Sequence, residues 1–127
     1  MRSRDNSPLP ATNPAFPANP LFDEQVQHLA EAHFLVLLWA AQGEDRKIRY
    51  NITNCFDDLK HVGLTRTKQT AVAIVDTLRA LRFIDLRDEG NRKNLYITTH
   101  GARALEGLVL RQSYTPKQSA FLEGRAP

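Results

Sequence analysis

This sequence has almost no cysteine and no long hydrophobic run. Of the 127 residues only Cys55 is a cysteine. One thiolate excludes an internal disulfide, and with four scattered histidines it cannot build a structural zinc site. The longest apolar run, Phe34 to Ala41, is far too short to cross a bilayer. Polar residues and prolines follow Arg2 and Arg4, so no signal peptide is expected. These absences predict a soluble, cytoplasmic protein without metal or cofactor.

Proline is also missing from most of the chain. Five prolines fall within the first twenty residues, and none occurs between Leu21 and Thr115. Because proline fixes φ and lacks an N–H group, the N-terminal run cannot join a helix or a central strand. We therefore predict a proline-rich flexible arm over residues 1–18, one domain over 19–111 and a C-terminal tail over 112–127. Hydrophobic residues at 42% and charged residues at 24% are typical of a globular domain.

The first helix is predicted to begin at Pro20, with Asn19 as its N-cap, and to end at Gly43. Apolar residues follow the spacing of one helical face in its first half. Its second half, from His33 to Ala41, is apolar on every side. Such a helix is expected to lie at the centre of the domain or partly against a second subunit.

The remaining elements are short. We predict an extended piece at 48–50, helices at about 53–61 and 67–81, strands at 83–87 and 93–97, and a last helix capped by Thr98. Turn residues around Gly90 join the two strands into a hairpin. Two short helices followed by a hairpin are typical of a winged helix-turn-helix domain. The predicted fold is therefore mainly α with a small β wing.

Two motifs within about residues 33–110 resemble the winged-helix domain of the MarR class of bacterial transcription regulators. The first is Val75 to Leu78 followed by Phe83-Ile84, which is similar to the end of that family's recognition helix. The second is Asp88, Arg92-Lys93 and the stretch from Leu95 to Gly101, which is similar to its wing and next helix. The resemblance implies a recognition helix in the major groove and a wing on the DNA backbone or minor groove.

The sequence departs from the family pattern in three places. Arg82 stands where the family usually has a glycine, just before the wing, and the turn from Gly63 to Thr67 is about two residues longer. A proline-rich arm and a short tail stand where the family has the terminal helices that form its dimer. The resemblance otherwise implies a sequence-specific DNA-binding protein, namely a bacterial transcription regulator acting on double-stranded DNA. Two alternatives remain open: a winged-helix module for protein–protein assembly, and a plasmid or phage replication or partition factor. No phosphate loop, nucleophile elbow or catalytic triad pattern occurs, so we expect no enzymatic activity.

Polar residues cluster at the start of the predicted recognition helix. They are Arg66, Thr67, Lys68, Gln69 and Thr70. Glutamine can pair with both edge groups of adenine, arginine or lysine with guanine, and the threonine methyl group with thymine. Lys68 and Gln69 are the best candidates for reading bases. The alternative interpretation is an ordinary solvated helix start with a threonine cap.

Three basic residues, Arg87, Arg92 and Lys93, are candidates for DNA contacts from the wing. Cationic wing tips bind phosphates or a narrow minor groove. The alternative is an exposed hairpin whose charges prevent aggregation. The net charge of +3 permits DNA binding without requiring it.

A homodimer is expected, because one small domain reads few base pairs. We predict that Leu35, Val36 and Trp39 of the first helix face the second copy.

Asp57-Asp58 is interpreted as part of a solvated helix face, since adjacent helical residues do not face one point. Cys55 is interpreted as a small core residue. The residues give no support for a small-molecule effector site.

Overall fold

The computed structural model describes residues 19–124, which form six helices and one two-stranded antiparallel sheet. The predicted arm over residues 1–18 lies outside the described residues. In chain order the elements are α1 (Pro20–Gln27), α2 (Glu31–Asp45), α3 (Ile52–His61), α4 (Lys68–Ala80), β1 (Ile84–Glu89), β2 (Arg92–Ile97), α5 (Thr99–Leu110) and α6 (Ala120–Glu123). This arrangement confirms the predicted fold class, mainly α with a β wing.

Helix α2 is the centre of the core, as its uniformly apolar sequence predicts. Leu35, Val36 and Trp39 each have 0% of their surface exposed within a single chain. Helices α3, α4, α5 and α6 and strand β2 all pack against α2. The prediction that these three side chains face a second copy is therefore wrong. They are already covered by the chain's own elements, so none of their surface is left for a partner.

The single long helix predicted from the N-terminus is instead two helices, α1 and α2. The N-cap is confirmed, because the Asn19 side chain accepts a hydrogen bond from the Phe22 N–H at 3.1 Å. The chain then leaves the helix after Gln27, and the Ala30 N–H donates to Nδ1 of His33 at 3.0 Å. Burial lowers the pKa of His33, which favours the neutral ring that this acceptor role requires. Neither glycine nor proline marks this break in the sequence.

Two details after α2 also differ from prediction. Gly43 does not end the helix but lies buried within its last turn, where a Cβ would come within 3.1 Å of the Ile48 carbonyl oxygen. The absence of a side chain thus lets the following segment pack closely. That segment is extended but is not a strand of the sheet. The Tyr50 carbonyl accepts from the Leu95 N–H of β2 at 2.8 Å, and Asn51 forms an isolated bridge with Asn94.

The helix-turn-helix and wing follow the predicted order. Thr67 caps α4 by accepting from the Thr70 N–H at 3.2 Å, and Gly90 turns the hairpin with φ of +70°. The hairpin pairs Ile84 with Ile97 and ends at the Glu89–Arg92 pair. Arg82, the residue in the family's glycine position, has φ of +66°. The backbone therefore adopts the glycine-favoured conformation here with an arginine side chain, at a cost of about 1 kcal/mol.

The C-terminal segment packs onto the domain beyond α5. Leu122 and Ser119 are fully buried, and α6 contacts both α2 and α3. Asp58 of α3 is also buried, with 2% exposure, and binds this segment. The interpretation of Asp57-Asp58 as a solvated pair is therefore wrong for Asp58, although Asp57 is exposed.

Candidate nucleic-acid interface

Threonine hydroxyls shape the turn that leads into α4. The Thr65 hydroxyl is buried and donates to the Thr67 carbonyl at 3.1 Å. The hydroxyls of Thr67 and Thr70 lie 2.9 Å apart, and Thr67 also caps the helix. These bonds hold the first turn of α4 in place and leave Lys68 and Gln69 exposed on it. The first turn thus presents one cation and one amide to the surroundings.

A shallow groove of about 510 Å³ joins the start of α4 to the wing tip. Three predicted residues meet in it, namely Lys68 from α4 and Arg92 and Lys93 from the wing. Lys68 lies 24 positions before Arg92 in the sequence, and the fold brings the charges of all three residues to one surface. The remaining lining residues are Asn51, Ile52, Thr53, Val72 and Asn91. Among the described residues no acidic side chain lines the groove, so the charge of these lining residues is positive.

The residues from the start of α3 were not predicted as part of the site. Asn51 is the N-cap of α3 and accepts from the Asn54 N–H at 2.8 Å, while the Asn54 side chain accepts from the Asn51 N–H at 3.2 Å. Thr53 is exposed beside it. The Asn-x-x-Asn spacing indicates a helix start in the sequence, but nothing in the sequence indicates that this start faces the wing.

Glu89 of the wing forms hydrogen bonds with two residues of the neighbouring strand. Glu89 accepts from the Asn94 amide at 2.7 Å and from the Tyr96 hydroxyl at 2.5 Å. These hydrogen bonds hold the pKa of Glu89 below its usual value, and the bond to Glu89 raises the pKa of Tyr96. The Glu89 carboxylate is thereby engaged with its own strand pair. Glu89 is not among the residues that line the groove with Arg92 and Lys93.

Arg87 lies apart from the other predicted wing residues. Its guanidinium donates to Asp85 at 3.1 Å and lies over the Tyr96 ring at 4.2 Å. The bond to Asp85 raises the pKa of Arg87. Arg87 borders a different depression, of about 680 Å³, together with Arg79 and Arg82. The structure therefore separates Arg87 from Lys68, Arg92 and Lys93.

Hydrogen bonds and a close backbone contact connect α4, the wing and the start of α5. The Thr98 hydroxyl donates to the Arg82 carbonyl at 2.6 Å and accepts from the Gly101 N–H at 2.9 Å. The Thr98 N–H donates to the Phe83 carbonyl at 3.1 Å. A Cβ on Gly101 would lie only 1.8 Å from that same Phe83 oxygen. Through Thr98 and Gly101 the start of α5 thus packs directly against the turn between α4 and β1.

Within residues 19–124 few side chains are candidates for thiol or metal chemistry. Cys55 is fully buried, as predicted, and burial raises the pKa of its thiol to about 12. No three His, Cys, Asp or Glu side chains in this part of the chain are grouped so as to hold a metal ion. None of the described helices is long and apolar enough to span a membrane.

No protein-family model and no curated protein matches this sequence. Solved structures do share its fold. TubR from Bacillus megaterium pBM400 is 20% identical, with a TM-score of 0.60 over 72% of this chain and 98% of that one. MepR, a transcription regulator of the Staphylococcus aureus multidrug efflux pump MepA, is 14% identical, with a TM-score of 0.51 over 83% of this chain and 84% of that one. The described residues therefore adopt the winged helix-turn-helix fold of these two proteins.

Proposed function

We propose that this protein is a sequence-specific DNA-binding protein, a bacterial transcription regulator that works in the cytoplasm. The observation that carries the proposal is the positive groove in which Lys68, Arg92 and Lys93 converge beside the exposed start of α4. In a winged-helix fold this is the geometry that lets one helix enter the major groove while the wing reaches the backbone or minor groove. The similarity to MepR, a transcription regulator, supports the regulatory role.

The position of each candidate residue determines the role that we assign to it in DNA binding. Lys68 and Gln69 extend from the first turn of α4 and are assigned to base edges, with Arg66, Thr67 and Thr70 beside them. Arg92 and Lys93 are assigned to phosphates, because flexible cations at a hairpin tip position a protein on DNA without reading its sequence. Arg87 is already held by Asp85 and Tyr96, and its contribution is restricted to the outer side of the wing.

Selection of bound duplexes from a random DNA pool, followed by binding at increasing salt concentrations, tests the proposal. We expect enrichment of one inverted repeat and a steep loss of affinity as salt rises, because phosphate contacts release counterions. A protein–protein assembly module would enrich no sequence. Mapping the selected repeat to a promoter or to a replication or partition locus distinguishes a regulator from a replication or partition factor.

Replacing Gln69 with alanine should weaken binding to the selected site by about 1–3 kcal/mol and relax preference at one or two base positions. The fold should be unaffected, because the side chain is exposed. Gln27→Ala, a change of an exposed glutamine on α1, is the matched control and should leave binding unchanged. If selection with the Gln69 variant returns the same base preferences, Gln69 does not read bases.

A homodimer is part of the proposal, because two recognition helices about 34 Å apart match successive major grooves. Because Leu35, Val36 and Trp39 of α2 are buried within one chain, the interface needs another surface. We place it at the last turn of α5, where Leu110 is 76% and Val109 48% exposed. A shallow cavity of about 400 Å³ beside them is lined by Phe34, Val109, Gln112, Tyr114, Thr115 and Pro116. Apolar side chains next to such a cavity are typical of interaction surfaces.

Changing Leu110 to glutamate should yield a folded monomer with much weaker specific DNA binding. The charge adds no strain to the exposed site in the single chain, but it would be buried and unpaired in the dimer. Sedimentation equilibrium of the wild type and the variant measures the change in mass. Leu21→Glu, at an exposed leucine on α1, is the control that should remain dimeric. A Leu110→Glu protein with the wild-type mass would refute this interface.

A further inference from the structure

A buried carboxylate on α3 connects the C-terminal segment to the helix-turn-helix. One Asp58 oxygen accepts from the Tyr50 hydroxyl at 2.6 Å and from the Ser119 hydroxyl. The other oxygen accepts from the Phe121 N–H at 3.1 Å. Three donors thus offset the cost of burying the carboxylate. Burial raises the pKa of Tyr50, so its hydroxyl remains a donor.

The C-terminal strap, defined here as residues 113–124, is held along its whole length. At its start the Tyr114 hydroxyl donates to the Leu29 carbonyl at 2.8 Å. In its middle the Lys117 carbonyl accepts from the Trp39 indole N–H, also at 2.8 Å. Its last residues pack on α3 through α6. The strap therefore runs from the α1–α2 junction, across α2, to the helix that precedes the recognition helix.

Tyr50 connects the same carboxylate to the wing. Its hydroxyl binds Asp58, while its carbonyl accepts from the Leu95 N–H of β2 at 2.8 Å. The next residue, Asn51, caps α3, forms a bridge with Asn94 and lines the groove. A shift of Tyr50 would therefore change the distance between the start of α3 and the wing, and with it the width of the groove.

We propose that Tyr50, Asp58 and Ser119 form a positioning cluster through which the strap sets the spacing between the helix-turn-helix and the wing. This inference rests on the proposed function. None of the three residues contacts DNA in this arrangement, since all three side chains are buried. They act through the groove, whose contacts require placement to within about 0.5 Å by hydrogen bonds behind them. Loss of the Ser119 bond should thus lower DNA affinity as well as stability.

Two variants, each of which removes a helix cap, separate positioning from stability. Ser119→Ala removes the N-cap of α6 together with the hydroxyl that binds Asp58. Asn19→Ala removes the N-cap of α1, which binds Phe22 and lies outside the groove. Each should lower Tm by about 4–8 °C. Measured at 25 °C on the selected DNA, Ser119→Ala should weaken affinity about 3- to 10-fold, and Asn19→Ala should leave it unchanged. The salt dependence should stay at the wild-type slope, because no phosphate contact is lost.

Tyr50→Phe is a second variant of the cluster and should match Ser119→Ala in DNA affinity. Hydrogen exchange at the Leu95 N–H gives a readout that needs no DNA, and it should quicken in both cluster variants but not in Asn19→Ala. An affinity loss that follows Tm in all three variants, or unchanged Leu95 exchange, overturns the positioning role. If the wild type itself binds no DNA, the proposed function fails, and Leu95 exchange alone decides the coupling between strap and wing.

Discussion

Replacing Gly101 with alanine should lower the free energy of unfolding by about 3–5 kcal/mol. The new Cβ would lie 1.8 Å from the Phe83 carbonyl oxygen and 3.0 Å from the Ile97 side chain. The oxygen belongs to the backbone, so it cannot rotate away as the end of a side chain can. It also accepts from the Thr98 N–H, so any displacement breaks the junction between α4, β1 and α5. Urea denaturation at equilibrium measures the loss.

Gly107→Ala on the same helix is the matched control. The nearest atom to a Cβ at Gly107 is in the Arg111 guanidinium, at 3.9 Å, which is an ordinary contact. Alanine should therefore stabilise α5 there by about 0.5–1 kcal/mol, because glycine loses more backbone entropy on folding. The two substitutions are chemically identical and opposite in expected sign. A Gly101→Ala protein as stable as the wild type would mean that α5 does not need this close approach.

Much of the fold was predictable because helix ends and turns have local signals. The caps at Asn19 and Thr98 were predicted and are confirmed, as is the turn at Gly90. The third helix was predicted to begin near Thr67, which is the N-cap of α4. The break between α1 and α2 was missed, because apolar spacing continues through it and the His33 side chain provides the capping acceptor. Periodicity shows which faces are apolar but not where a helix is interrupted.

The prediction that α2 faces a second copy was wrong for a related reason. The run that includes Leu35, Val36 and Trp39 is apolar on every side, which indicated a helix partly covered by a partner. The missing cover comes from the chain itself, because Leu122 and the strap pack around α2. The sequence of the strap has no long apolar period, so its contribution to the core could not be predicted.

The residues of the candidate site could be predicted from the sequence, but not which of these residues lie together. Lys68, Arg92 and Lys93 follow from polar residues at a helix start and a hairpin tip, and the fold places them in one groove. Arg87 shares their chemistry but not their location. Asp58 was missed because its partner Ser119 is 61 residues away, and no local pattern identifies such a pair. Local sequence thus predicts which polar and charged side chains lie at the ends of helices and strands. Long-range packing decides which of these ends lie side by side.

Replacing Lys68, Arg92 and Lys93 together with alanine should weaken DNA binding about 100-fold at low salt. It should also reduce the slope of log affinity against log salt by up to about 1.8, because Arg92 and Lys93 are the two cations assigned to phosphates and each neutralised phosphate contributes about 0.9. All three side chains are exposed, so the variant should fold normally. Fluorescence anisotropy with the selected duplex and with a random duplex, each at several salt concentrations, measures both quantities.

The control variant replaces Lys47, Lys60 and Arg103 with alanine, which removes the same net charge from outside the groove, the strap and the proposed dimer interface. All three side chains are exposed, and surface charges contribute little to stability, so this variant should also fold normally. If net charge alone attracts DNA, both triple variants should lose affinity and slope equally. If the groove binds the phosphates, the control should keep nearly the wild-type slope, and only the Lys68, Arg92 and Lys93 variant should lose it. Equal losses would refute the assignment of the groove as the DNA interface.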